Sequence, residues 1–180
     1  NDYETFSVLK NHEHLPTGYK RIPYHCIYDV KFEGRQKCRL VAGGHHTNPP
    51  KEDIYSGVVS MEAVHLGFIL ARMNDLKVCA GDVGNAFLYG KTQEKVFVIA
   101  GELFGKDAGK RMIIDRSLYG VKSSSARFHE HLSIRLRQMG YKPSKADQDL
   151  WYKKVDDHYE YVARFVDDII SFSKDPMSIM

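Results

Sequence analysis

The stretch from 159 to 173 narrows the choice of folds more than any other. YEYVARFV (159–166) and IISFS (169–173) are β-favouring runs, and only Asp167-Asp168 separates them. Two such runs joined by a short polar step read as an antiparallel hairpin. Two adjacent like charges at its tip repel unless water solvates them or cations compensate them, and a divalent metal is one such compensation. Asp is common in turns, so a solvated turn accounts for this pair taken alone.

The same pattern recurs upstream. Residues 24–32 and 36–42 are β-favouring runs flanking Glu33-Gly34-Arg35, the composition of a hairpin connection, and Lys31, Arg35, Lys37 and Arg39 make this a basic ribbon. Paired Gly, paired Pro and Asn predict an extended loop over 43–57. From Ser60, a capping residue, Glu62 suits a first helical turn, and Val64, Phe68 and Ala71 fall at helical spacing with Leu66, Leu70 and Met73 widening the face. This predicts a buried helix to about Asn74. Short apolar strands are expected at 76–83, 96–100 and 111–115. Phe128, Leu132, Leu136 and Met139 then give a second helix over 124–139, with Gly140 beyond its end. The order predicts an α+β fold with helices on one face of a mainly antiparallel sheet.

At 180 residues the chain is long enough for one domain or two interleaved subdomains, and no composition shift marks a boundary. Its net charge of +3 does not by itself call for nucleic acid or an acidic membrane. No run approaches about 18 uninterrupted apolar residues, so no membrane partner is expected. Cys26, Cys38 and Cys79, an odd number without a CxxC pair, read as reduced intracellular thiols. The pairs His12/His14, His45/His46 and His129/His131 make no zinc pattern with any cysteine pair.

Asp82 also ends an apolar run, in GDVGNAFLYG, and Phe87 follows five residues later. A helix or turn cap explains Asp82 in isolation. Together with Asp167 and Asp168, however, it supplies the hard oxygen ligands that hold two magnesium ions at roughly 3.5–4 Å, provided the strands lie side by side. The chemistry of such a pair is nucleotidyl transfer.

RLVAGGH, GDVGNAFLYG, RSLYGVKSSSARFHEHL and RFVDDII, in that order and spacing, resemble the reverse transcriptase of Ty1/copia-type LTR retrotransposons, and the likeness covers nearly the whole chain. The resemblance implies the fingers and palm of a right-hand polymerase: residues 1–75 mainly fingers, residues 76–180 mainly palm with an inserted fingers/palm helix, and an antiparallel palm sheet backed by helices. It also implies truncation before the thumb, with RNase H absent. Carried over by position, Asp82 and Asp167 are the principal catalytic metal ligands, Asp168 their companion and Val83 a backbone ligand, for two Mg²⁺ ions or Mn²⁺ in their place. Phe87 is the steric gate against a ribose 2′-hydroxyl. Arg39, with Lys31 and Lys37 in support, faces the incoming triphosphate, where a guanidinium offers a bidentate fork. Tyr119 and Gly120 close over the nucleotide and templating base.

Partners implied by the resemblance are an RNA or DNA template with primer, dNTPs, and the thumb, RNase H and integrase portions of a polyprotein. The implied setting is a cytoplasmic virus-like particle. Lys122, Arg127, Arg135 and Arg137 are candidates to track a template backbone or form a solvated helix face. The family's usual tyrosine before VDD is Phe165 here, and KSSSARF replaces a proline-bearing stretch. A catalytically silent remnant kept as a nucleic-acid-binding or interaction module is the alternative. An unrelated carboxylate–metal hydrolase would need a water-activating base that the sequence does not offer.

Overall fold

A computed structural model describes residues 3–10, 12–48 and 54–179. The chain is α+β and divides into two interleaved units, residues 1–54 with 87–128 and residues 55–86 with 129–180. The expected loop over 43–57 holds a short 3₁₀ turn at Gly44–His46, and its residues 49–53 lie outside the described part.

In the first unit, β1 (Phe6–Val8), β2 (Lys20–Arg21), β3 (Tyr24–Val30) and β4 (Gln36–Ala42) precede, later in the chain, β6 (Val96–Ile99) and β7 (Arg111–Ile114). β6 and β7 pair antiparallel, with β1 on the outer side of β7 and β2 parallel to β6. Alternation along β6 buries Val96 and Val98, which join Ile22, Met112, Ile114, Leu118 and Val121 in one apolar cluster. β3 and β4 form the expected separate ribbon. Its strands stop short of Lys31 because Gly34, at φ +80°, lets the chain reverse, with Gly34 N–H donating to Lys31 O at 2.8 Å.

The second unit holds α1 (Met61–Met73), β5 (Lys77–Asp82), β8 (Lys142–Pro143), β9 (Leu150–Val155), β10 (His158–Phe165) and β11 (Asp168–Ser173). Their sheet, ordered β5-β11-β10-β9-β8, is antiparallel throughout. α2 (Ser124–Gln138) contributes its residues from His129 onward to this unit. Ser60 caps α1, accepting from Ala63 N–H at 3.2 Å, and Asn74 closes it, as the sequence predicts.

Two expectations fail. The helices do not share one face: Ala63, Val64 and Ala71 of α1 pack with Ala163 and Phe172, whereas Leu132 and Leu136 of α2 pack with Val162, Trp151 and Ile169. Adjacent strand residues point to opposite faces, so α1 and α2 cover opposite sides. Nor is α1 buried by its large side chains. It docks through the small stripe Ala63, Gly67 and Ala71, and leaves Leu66, Phe68, Ile69 and Met73 exposed. Close approach is the reason: a Cβ at Gly67 would meet the Phe172 ring at 2.7 Å.

Candidate functional site

The second unit gathers the predicted acidic residues at one end of its sheet. β5 pairs with β11 so that Asp82 lies directly opposite Asp168. Residues opposed in this way point to the same face with Cβ atoms roughly 4.5–5.5 Å apart. Asp167 occupies the turn between β10 and β11, and its carbonyl accepts from Val83 N–H at 2.8 Å. This bond ties the turn to the end of β5, so Asp82, Val83, Asp167 and Asp168 lie side by side along the ends of β5 and β11 and the turn before β11. The turn is tight: Phe165 pairs with Asp168, leaving only Val166 and Asp167 between them. Val166 sits at φ +54°, a left-handed conformation that costs a β-branched residue about 1–3 kcal/mol.

Asp82 and Asp168 are exposed and Asp167 half-buried, and none of the three makes an ion pair among the described residues. Three uncompensated hard oxygen donors at one strand edge fit a divalent cation chemically. Their side chains do not yet converge: among the described residues no three His, Cys, Asp or Glu form a metal-ligand group.

The first unit brings together three of the predicted nucleotide-side residues. The Arg39 guanidinium lies 5.8 Å from the centroid of the Tyr119 ring, and Tyr119 packs against Phe87 at 4.8 Å between ring centroids. Phe87 reaches Phe128 in turn, at 6.5 Å. Arg39 shares its ribbon face with Lys37, while Lys31 lies in the turn beyond β3. Tyr119 is anchored through its backbone, its carbonyl accepting from Ala42 N–H at 2.7 Å. Gly120 must be glycine twice over, because its φ is +87° and a Cβ there would fall 2.0 Å from Ala42 O. A cleft of about 690 Å³ in this unit, lined in part by Lys91, Lys95, Asp115 and Arg116, contains none of the predicted residues.

The helix cations are mostly engaged locally. Lys122 Nζ donates to Thr47 O at 2.5 Å, Arg135 bonds Gln138 at 3.3 Å, and Arg137 lies 5.3 Å from the Trp151 ring centroid.

Sequence reasoning missed a buried polar cluster three residues before Asp167. Arg164, 1% exposed, donates from Nε to Asp149 Oδ1 at 2.9 Å and again to that oxygen from Nη2. Its Nη1 donates to His129 O and Ser133 Oγ, each at 2.9 Å. His129 Nε2 meets both Asp149 Oδ1, at 3.0 Å, and Arg164 Nη2, so its tautomer decides which bond it makes. Burial works to raise the Asp149 pKa, but hydrogen bonds from His129 and Arg164 outweigh it and hold the carboxyl below its ordinary value. The cluster fastens β10 to α2 and to the segment entering β9. An arginine among Val162, Ala163 and Phe165, the apolar end of β10, is the one signal that could have revealed it.

The α+β chain thus carries an acidic strand edge in one unit and a cation–aromatic stack in the other. Over residues 3–180 the chain matches the family model described as reverse transcriptase (RNA-dependent DNA polymerase), and it belongs to that family. It is 26% identical over 171 residues to the retrovirus-related Pol polyprotein from transposon TNT 1-94 of Nicotiana tabacum, covering 89% of this chain and 13% of that polyprotein. It is 29% identical over 152 residues to the truncated transposon Ty1-A Gag-Pol polyprotein of Saccharomyces cerevisiae, covering 83% of this chain and 12% of the relative. For the transposon Ty1-LR2 Gag-Pol polyprotein of the same yeast the identity is again 29%, covering 83% of this chain and 8% of the relative. The chain thus spans about an eighth or less of these curated relatives. The expected copia-type resemblance holds.

Proposed function

We propose that the chain is the fingers and palm of an RNA-directed DNA polymerase from a copia-type Pol polyprotein, the first unit serving as fingers and the second as palm. The observation that carries this reading is the pairing of Asp82 with Asp168 beside the Asp167 turn, in a chain of the reverse transcriptase family. Asp82, Asp167 and Asp168, with the Val83 carbonyl, would hold two Mg²⁺ ions, or Mn²⁺ in their place. Bound there, such ions lower the pKa of an attacking hydroxyl and neutralise charge developing on phosphoryl oxygens.

The chain's own residues do the rest. Arg39 offers a fork of donors to a triphosphate, and its contact with Tyr119 limits where the guanidinium can swing. Lys37 and Lys31 add positive charge along the ribbon. Phe87, wedged between Tyr119 and Phe128, is a rigid wall that excludes a 2′-hydroxyl and admits deoxyribose. Gly120 leaves the backbone uncovered beside Tyr119 for a nucleotide to approach.

The template and primer, the dNTPs, the thumb, RNase H and integrase partners, and the setting in a cytoplasmic virus-like particle belong to this same reading. The exposed, unconverged carboxylates favour one alternative, a silent module that binds nucleic acid without turnover.

Primer extension on an RNA template, by the chain in its polyprotein context, separates the two. Extension with dNTPs that requires Mg²⁺, disappears in Asp82→Asn and admits rNTPs in Phe87→Val supports the polymerase. Metal-independent template binding without extension, unchanged in Asp82→Asn, establishes the silent module instead.

A further inference from the structure

The β3–β4 ribbon carries two of the three cysteines on one face. Its register opposes Cys26 to Leu40 and Tyr28 to Cys38, so these four side chains project together, while Ile27, Arg39, Asp29 and Lys37 take the other face. Pro23 O accepts from Gly43 N–H at 2.8 Å and Arg35 O accepts from Lys31 N–H at 2.9 Å, so the odd-numbered pairs are the hydrogen-bonded ones. The pairs 26/40 and 28/38 fall at the alternate positions, where side chains stand closer together. The right-handed twist, strongest in a two-stranded ribbon, then brings Cys26 towards Cys38 across the diagonal.

The thiols do meet. A hydrogen bond from Cys26, with a smaller contribution from burial, pushes the Cys38 pKa up, and Cys26 and Cys38 together push the Tyr28 hydroxyl up. At the base of the ribbon this face buries Tyr24 and Leu40 against the apolar cluster; farther out, Cys38 is exposed and Cys26 half-buried, both unbridged. Solvent and small oxidants reach them.

We propose that Cys26 and Cys38 are a reversible dithiol–disulfide site that takes a low-molecular-weight disulfide such as glutathione disulfide as co-reactant. One protein thiolate attacks a sulfur of that disulfide, its S–S bond breaks, and one glutathione thiolate leaves. The second protein thiolate attacks the mixed disulfide at the protein sulfur and expels the other glutathione. Both protein sulfurs are oxidised, and the two electrons and two protons leave on two glutathione thiols. Diagonal Cα atoms lie roughly 7–8 Å apart and a disulfide spans up to about 6.8 Å, so closure tightens the twist of the ribbon that carries Arg39. The inference stands on the ribbon alone and is independent of polymerase activity.

The test is to treat the folded chain with glutathione disulfide, quench with acid, count free thiols after denaturation, and map the peptides by mass. Thiols falling from three to one, with a Cys26–Cys38 cross-link that dithiothreitol reverses, are the expected result. Cys79→Ser should keep the cross-link, whereas Cys38→Ser and Cys26→Ala should each accumulate a single stable glutathione adduct in its place. Separate adducts on Cys26 and Cys38 in the unsubstituted chain, a link to Cys79, or no oxidation would each overturn the assignment.

Discussion

Arg164→Met probes the buried cluster beside the Asp167 turn. The side chains of Arg164 and Asp149 are 1% and 8% exposed, and the guanidinium uses two nitrogens on one Asp149 oxygen. Methionine preserves much of the volume but removes every donor. His129 O keeps a partner, because Ser133 Oγ also donates to it, at 2.7 Å. The loss therefore falls mainly on Asp149, which is left as a buried carboxylate with the His129 ring as its remaining side-chain partner. Breaking a buried pair from one side costs about 3–5 kcal/mol, whereas replacing both partners by apolar groups is often neutral or stabilising. Trp151, the only tryptophan, lies 5.7 Å from the Arg164 guanidinium, so its fluorescence during urea titration reports on this unit. The expected loss is about 3–5 kcal/mol for Arg164→Met, with most of it restored in Arg164→Met/Asp149→Leu. A loss below about 1 kcal/mol, or a double variant no better than the single one, would refute the argument.

Four further outcomes follow from particular contacts. Gly120→Ala should cost at least about 1–3 kcal/mol in thermal unfolding, since it places a Cβ against Ala42 O at positive φ; an unchanged midpoint would contradict this. Val166→Gly should raise stability by about 1 kcal/mol by relieving the left-handed valine, and a destabilised variant would show that its side chain contributes more than its backbone costs. Gly67→Ala should lower stability by about 1–3 kcal/mol, because α1 must move away from Phe172; a neutral result would mean that the ring swings aside at little cost. Asp149 and Asp147 both titrate low when folded. In each, burial is outweighed by hydrogen bonds, those to Asp147 coming from the Ser60 and Asp149 N–H groups. Their stabilisation is complete above the unfolded pKa of about 3.9 and disappears as pH falls through the folded values. Acid unfolding followed at Trp151 should therefore begin below about pH 4 and become shallower in Asp149→Asn, and an equal slope in the two would exclude the linkage.

Much of this architecture was legible in the residues because it rests on local periodicity. The ribbon turn at Gly34, the Ser60 cap and the runs that became β5, β6, β7 and β11 each declare themselves within a few positions. The Asp82–Asp168 opposition was legible as a condition, that the strands lie side by side, and the register meets it. Elements whose reason lies elsewhere in the chain were not legible. β1, β2 and β8 are two or three residues long and exist only through their pairing partners. β9 hides Lys153 and Lys154 within an otherwise apolar run, and neither carries a β signal of its own. The docking face of α1 was misjudged because hydrophobicity ranks Phe68 above Gly67, whereas close helix–sheet approach ranks them the other way. Arg164 looks like an interruption until Asp149, fifteen residues earlier, is found beside it.

In the proposed function, the strand edge formed by Asp82, Asp167 and Asp168 holds divalent cations. Titrating Mn²⁺ into the chain and following loss of the free-ion signal by electron paramagnetic resonance tests it without requiring turnover. The expected result is saturable binding that weakens by about tenfold or more, equivalent to ~1.4 kcal/mol, in both Asp82→Asn and Asp168→Asn. Binding that is absent, or equally strong in both variants and the unsubstituted chain, would contradict it.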